Sequence, residues 1–279
     1  MAAKVPAFTD IGRATRDLLY GSKSGVFQYN QALNITTRTA DGVEFAVTTV
    51  KKDDKVEAAL KAAYKTKKYG VTGTFGSAGL ASTSVSFYQL APGLDVTLFG
   101  TLPDVASAAK VSVDYVVPHL TLKSTVGLTQ NPKIDLQATT GYKDFIFGGD
   151  ATYDTAKQDV TKWATGVGYQ RLDYAAGVLL KDNKTLTVAY AHNVDATLAA
   201  GAEITKQLEE KEGTSFTLGL QKRLENGSLV KVRLDNKGIA SGLYETELKP
   251  MHKLALSGQF DATNLDKPPK VGFALDIKN

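Results

Sequence analysis

The chain has 279 residues, with 33 Lys and Arg against 29 Asp and Glu, a formal net charge of +4, and no cysteine. The absent thiols exclude a disulfide framework, a thiolate metal site and a cysteine nucleophile. The mild basic excess, in which no Lys/Arg block exceeds Lys67-Lys68, gives no nucleic-acid surface. No apolar run approaches the roughly 18 residues of a membrane-crossing helix, but a barrel is not excluded, because its strands need apolar residues only at alternate positions.

The first residues do not read as a secretory signal, since no uninterrupted apolar stretch occurs, and Asp10 and Asp17 spoil a mitochondrial presequence. Residues 8–20 instead read as one amphipathic helix. Phe8, Ile11, Ala14/Thr15, Leu18 and Leu19 recur at helical spacing among Asp10, Arg13, Arg16 and Asp17. Thr9 is the expected N-cap and Gly21 the expected stop. Gly21-Ser22-Lys23-Ser24-Gly25 has the composition of a flexible connector, with Gly21 and Gly25 as hinges. The expected division is therefore 1–25, helix and linker, and 26–279, a β region.

After Gly25 the period changes from helical to two. Val56, Leu60 and Tyr64 oppose Glu57, Lys61 and Lys65; Trp163, Thr165, Val167 and Tyr169 oppose Lys162, Ala164, Gly166 and Gly168. Val230, Val232 and Leu234 oppose Lys231, Arg233 and Asp235, and Val271, Phe273, Leu275 and Ile277 oppose Lys270, Gly272 and Asp276. One face is apolar; the other is polar or small. Turn chemistry separates the segments at Ala40-Asp41-Gly42, Lys52-Asp53-Asp54, Gln130-Asn131-Pro132, Lys181-Asp182-Asn183, Glu225-Asn226-Gly227, Asn236-Lys237-Gly238 and Asp266–Pro269. About nineteen segments follow residue 26 at a pitch of about thirteen residues, the spacing of long barrel strands with short turns. The stretch 76–90 alternates least clearly. A soluble β-sheet binding protein also alternates and is the competing reading. Long strands of even pitch, with no helical layer to cover the sheet, favour a transmembrane β-barrel, in which closure removes both sheet edges.

The residues also carry a family resemblance. Val5-Pro6-Ala7-Phe8-Thr9-Asp10-Ile11-Gly12-Arg13 with Asp17-Leu18-Leu19, then Asp41-Gly42-Val43-Glu44-Phe45, and above all Leu229–Gly238 with Leu243-Tyr244 and Leu248-Lys249-Pro250, resemble the voltage-dependent anion channels, the eukaryotic mitochondrial porins, in a plant-type wording. The resemblance implies an all-β, nineteen-stranded barrel with parallel first and last strands and the helix inside the pore. It implies a voltage-gated, weakly anion-selective diffusion pore of the mitochondrial outer membrane for metabolites and nucleotides such as ATP and ADP. Its partners would be the lipid bilayer and anions such as nucleotides, phosphate and chloride. The resemblance adds a homo-oligomer and cytosolic kinases as candidate partners, which the residues do not specify. The last strand, with Lys270, Gly272, Leu275 and Ile277, resembles the sorting signal of mitochondrial barrels. Where some animal members carry a regulatory lipid-facing glutamate, this chain has Gly73-Thr74-Phe75, so that behaviour is not carried over. The related protein-import pore would have a longer segment before the barrel.

No catalytic constellation is present: there is no HExxH, GxSxG or P-loop pattern, and His119, His192 and His252 lie far apart. No enzyme activity, metal or cofactor is expected. Glu209-Glu210-Lys211-Glu212 reads as a solvated loop. The charges expected to set selectivity are Lys61, Lys65, Lys110, Lys123, Lys231, Arg233 and Lys253 on the polar strand faces, with Arg13 and Arg16 on the helix. Fixed positive charge around a water-filled channel raises local anion concentration.

Overall fold

In the computed structural model, which describes residues 5–21, 25–53, 55–103, 108–210 and 213–279, strands of 7 to 12 residues fill most of the chain. A 3-10 turn at Phe8–Asp10 and one helix, α1 (Arg13–Leu19), precede them. The strands are β1 (Gln31–Arg38), β2 (Val43–Lys52), β3 (Lys55–Lys65), β4 (Tyr69–Gly76), β5 (Ala81–Ala91), β6 (Leu94–Leu102), β7 (Lys110–Val117), β8 (Leu120–Gly127), β9 (Lys133–Tyr142) and β10 (Phe145–Asp154). They continue as β11 (Asp159–Gln170), β12 (Tyr174–Lys181), β13 (Thr185–Asn193), β14 (Leu198–Gln207), β15 (Thr214–Arg223), β16 (Leu229–Asp235), β17 (Ile239–Lys249), β18 (His252–Asp261) and β19 (Lys270–Lys278). Each strand pairs with the next, and β1 also pairs with β19, so the 19-stranded sheet closes into a barrel. An odd number of up-and-down strands makes the closing pair parallel. The residues group into two compact units, 1–10, 36–47 and 57–167 in the first and 11–35, 48–56 and 168–279 in the second.

The turns form where the chain chemistry placed them. Gly42, Gly227 and Gly238 have φ of 85°, 81° and 75°, and the Asp182-Asn183 pair has φ of 50° and 52°, the left-handed conformation of a two-residue hairpin. Asp53 is likewise left-handed; Asp54 lies outside the described residues. The blurred stretch 76–90 resolves into the end of β4, a turn and a β5 whose pairing with β6 shifts register between Phe87 and Ala91. A bulge there breaks the two-residue period that sequence reading depends on.

The N-terminal element departs from the expected single helix over 8–20. Gly12, at φ 71°, interrupts it, so that α1 begins after Gly12 and has no side-chain cap, in place of the expected cap at Thr9. A left-handed residue cannot continue a right-handed helix. The stop at Gly21 holds: its φ is 80°, and its N–H donates to Asp17 O.

Directly opposed residues in an antiparallel pair share a face, so the registers sort every side chain. In the second unit, Gly177, Ala189, Gly201, Gly219, Lys231, Leu243, Ser257 and Gly272 fall on the inner face, which carries α1 and residues 25–30. Val178, Val188, Ile204, Leu218, Leu220, Val232, Leu234, Leu256 and Phe273 fall on the outer face and are exposed. In the first unit, Lys61, Thr74, Ser82, Thr97, Ser112 and Thr125 line the inner face, whereas Leu60, Val71, Phe75, Leu98, Tyr115, Leu122 and Leu136 are outward and exposed. A water-soluble sheet buries its apolar face; this one exposes it, which sets the soluble reading aside. Among the strands with these registers, the outward face carries only Lys206, Lys222 and, past the register shift in β17, Lys249 as charged side chains, each near a strand end.

This division makes a measurable prediction. Val232→Lys, outward on β16, should cost about 2–4 kcal/mol in lipid, whereas Ser84→Lys, inward on β5 and opposite Thr72 and Phe99, should stay within about 0.5 kcal/mol. Denaturant unfolding from lipid vesicles measures both; equal costs would contradict the assigned faces.

Candidate functional site

A seven-residue helix is too short to persist alone in water, so α1 depends on its seat. The seat is built from glycine. On the inner face of β12, β14 and β15, a Cβ at Gly177 would meet Gly12 N at 3.0 Å, one at Gly201 would meet Leu18 Cδ2 at 3.2 Å, and one at Gly219 would meet Leu19 Cδ2 at 2.5 Å. Removing those side chains lets α1 lie on the strand backbone. Ile11 and Leu19 become almost fully buried, at 1% and 0% exposure. Burying such a side chain stabilises by about 1.5–3 kcal/mol. Leu179, Leu229 and Leu243, inward and buried, are apolar departures from the polar inner face. The first unit repeats the device: Gly141 faces Val5 and Gly148 faces Phe8, and Thr121 donates from Oγ1 to Val5 O at 2.6 Å.

Two cations of β16 hold the C-terminal end of α1. Lys231 Nζ donates to Asp17 O at 2.8 Å, and its side chain is 2% exposed. Arg233 donates from Nη1 to Leu19 O at 3.4 Å and from Nη2 to Tyr29 Oη at 3.2 Å. Its guanidinium lies 5.3 Å from the Tyr20 ring centre and 4.7 Å from that of Phe27. The last carbonyls of a helix are unsatisfied and carry its negative pole, so cations complement them; stacking on two rings adds cation–π attraction. Arg233 thereby grips the chain on both sides of the connector. Gly25, buried, donates its N–H to Glu245 Oε2 at 2.7 Å, and a Cβ there would strike Lys231 Cε at 2.5 Å. Tyr20 donates to Glu203 Oε1 at 2.8 Å; burial first, and then that carboxylate, raise its phenol above the ordinary value of 10.0.

Arg13 pairs with Asp17 at 3.4 Å, and Arg16 donates to Ile11 O at 2.8 Å. Lys253 pairs with Glu245 at 3.3 Å, linking it to the Gly25 clamp. In the first unit Lys61 and Lys65 are exposed on the inner face of β3, with the Lys65 ammonium 4.9 Å above the Tyr88 ring. Lys110 is exposed at the start of β7, and Lys123 lies 3.6 Å from Asp114. Lys270 and Gly272 are inward, and Leu275 and Ile277 outward. The structure thus brings Lys231, Arg233 and Lys253 together around the helix and connector; Lys61, Lys65, Lys110 and Lys123 stand on a different stretch of wall. Ser22, Lys23 and Ser24 lie outside the described residues, as do Lys211 and Glu212 of the acidic run, whose Glu209 pairs with Lys184 at 3.6 Å. Among the described residues no His/Cys/Asp/Glu group could hold a metal.

Sequence reading missed Glu203, Glu245, Tyr20 and Tyr29, whose partners are up to 220 residues away. The glycines of the seat did leave a signal: glycine within a strand marks close backbone approach.

The chain matches the family model described as eukaryotic porin over residues 4–272. It is 32% identical to mitochondrial outer membrane protein porin 4 of Arabidopsis thaliana over 279 residues, all of both chains, and 31% identical to porin 6 of Oryza sativa subsp. japonica, covering 99% of each. A mutant porin of Rh. blastica superposes with a TM-score of 0.51 at 10% identity, covering 81% of this chain and 91% of that one, a likeness of fold alone.

The docked helix should respond to alkali and not to mild acid. A raised phenol pKa stabilises the docked state fully below the ordinary value and loses that contribution as pH rises through the folded one. Protease protection of the N-terminal segment should therefore fall in alkali, and Tyr20→Phe should lessen that fall. Arg233→Gln should weaken protection at every pH; full protection in that variant would contradict the clamp.

Proposed function

The chain belongs to the eukaryotic porin family, and from that premise we propose that its inner wall, rather than any single site, performs the function: a voltage-dependent pore with a weak preference for anionic metabolites. It is a diffusion pore of the mitochondrial outer membrane and not an enzyme. It sits in the lipid bilayer and passes small metabolites. The observation that carries this reading is the separation of the two sheet faces, apolar and exposed outside, polar and charged inside.

The preference should be weak because the inner face holds both signs. Lys61, Lys65, Lys110 and Lys123 share the first unit's inner face with Asp95, Asp114 and Asp135. Asp114 faces Lys123, and Asp135 accepts from Thr152 Oγ1 at 2.6 Å. With few charged side chains on the outer face of the strands sorted above, most of their charge resides on the inner wall and the rims. At about 0.15 M salt the field of such charges decays over roughly 8 Å, which favours anions without excluding cations. Nucleotides, phosphate and chloride are the anions such a wall would favour through its field. Lys231, Arg233 and Lys253 contribute differently, by fixing the helix and connector. A homo-oligomer and cytosolic kinases remain proposals that the family membership motivates.

Voltage dependence needs charge that moves in the field, at about 2.3 kcal/mol per elementary charge per 100 mV. α1 with Arg13, Arg16 and Asp17 is one carrier, pivoting at Gly21 and Gly25 once the β16 clamp opens; the wall itself is the other. The proposed domain division at residue 25 follows from that pivot.

Planar bilayers test the reading. Purified protein should give discrete conductance that falls at high voltage of either sign, with a reversal potential shifted modestly toward anions in a salt gradient. Charge reversal of Lys61, Lys65, Lys110 and Lys123 together should move that potential toward cations. A silent membrane would overturn the pore, and an unmoved potential the selectivity argument. A disulfide joining Leu19→Cys to Gly219→Cys should abolish voltage closure; unchanged closure would assign gating to the wall.

A further inference from the structure

Gly272 stands in the part of β19 that resembles a sorting signal, yet its surroundings give it work inside the folded chain. It is buried on the inner face. It lies directly opposite Ser257 of β18, which lies opposite Leu243 of β17. Leu243, Ser257 and Gly272 form a floor across three strands, and residues 28–30 lie on it. Gln28 N–H donates to Ser257 Oγ at 3.2 Å. A Cβ on Gly272 would collide with Gln28 O and would stand 2.5 Å from Tyr29 C and 2.6 Å from Asn30 N. All three are backbone atoms, which no side-chain rotation can move aside. Immediately beyond, Phe273 N–H donates to Asn30 O at 3.1 Å, and Asn34 donates from Nδ2 to Asp276 Oδ1 at 2.6 Å. The first is a backbone bond at the entry to β1, and the second lies across the β1–β19 seam, the parallel pair that closes the sheet.

We infer that Gly272 is a closure residue: it lets the chain entering β1 press onto β18 and β19, so that residues 28–30 act as a template that fixes the register of the seam. A parallel pair distant in sequence has no turn to set its register. Here the incoming backbone does so, and only glycine leaves room for it. The last strand and the segment following α1 therefore form one closing unit, independent of any recognition by an import machinery.

Neighbouring glycines provide the control. A Cβ on Gly258 of β18 or Gly242 of β17 would meet nothing within 4 Å. The natural chain has no cysteine, so an Asn34→Cys/Asp276→Cys pair reports the seam on a clean background. The full chain is refolded in detergent with no import machinery and oxidised. The pair should crosslink in the otherwise natural chain and in the Gly258→Ala and Gly242→Ala variants, and the crosslink should be lost with Gly272→Ala. If Gly272→Ala crosslinks like the controls, or if the control alanines lose the crosslink equally, the inference falls. Should Gly272→Ala fail to regain strand circular dichroism, Ser257→Ala, which removes the anchor of Gln28 and adds no bulk, replaces it: a weakened crosslink in a refolded chain supports the template, and an undiminished one overturns it. Because the assay reads closure and not conductance, it fails separately from the pore reading.

Discussion

A backbone that crosses hydrocarbon can leave no N–H or C=O unpaired, and the rest of this structure follows from that constraint. The chain has no apolar stretch long enough for a helix, so the pairing must come from neighbouring strands, and a sheet satisfies every strand only by closing. Closure with an odd number of strands brings together two that run the same way and lie at opposite ends of the chain. The ladder elsewhere is set by short hairpins whose turns dictate register. The seam has no such turn, and the contacts around Gly272, Ser257 and Asn34 take its place.

Closure also gives the sheet two faces with different obligations. The outer face must be apolar wherever it meets lipid. The inner face has more freedom, and this chain uses it in two ways. Over most of the first unit it is polar, with lysines and aspartates interspersed. Beneath α1 it becomes a mixture of glycine, alanine and leucine, because there the wall packs against a helix. The open wall and the helix seat thus draw on different residues of one face, and basic side chains occur in both: Lys61 and Lys65 are exposed, whereas Lys231 is buried against Asp17 and Gly25.

The clamp on the connector changes how its glycines read. Gly21 and Gly25 suggest a loose hinge by composition, but each occupies a positive-φ conformation, and Gly25 is wedged against Lys231 and bonded to Glu245. Glycine here supplies tight packing and an accessible backbone conformation. Any motion of α1 must first open the contacts of Arg233 with Leu19, Tyr20, Phe27 and Tyr29.

The sequence by itself determined the class of fold, the alternation of faces, most turns and the inward direction of every strand lysine expected to act. These follow from the two-residue period and from left-handed turn residues, which are local and survive in the order of side chains. The family was legible from the motifs at residues 5–19 and 229–250. Only the tertiary structure decided which inward cations meet water and which hold the helix, why particular inward positions are glycine, and where α1 begins. Those outcomes depend on atoms brought together from positions up to 220 residues apart, as in Gly25 with Glu245, and no period along the chain encodes such a meeting.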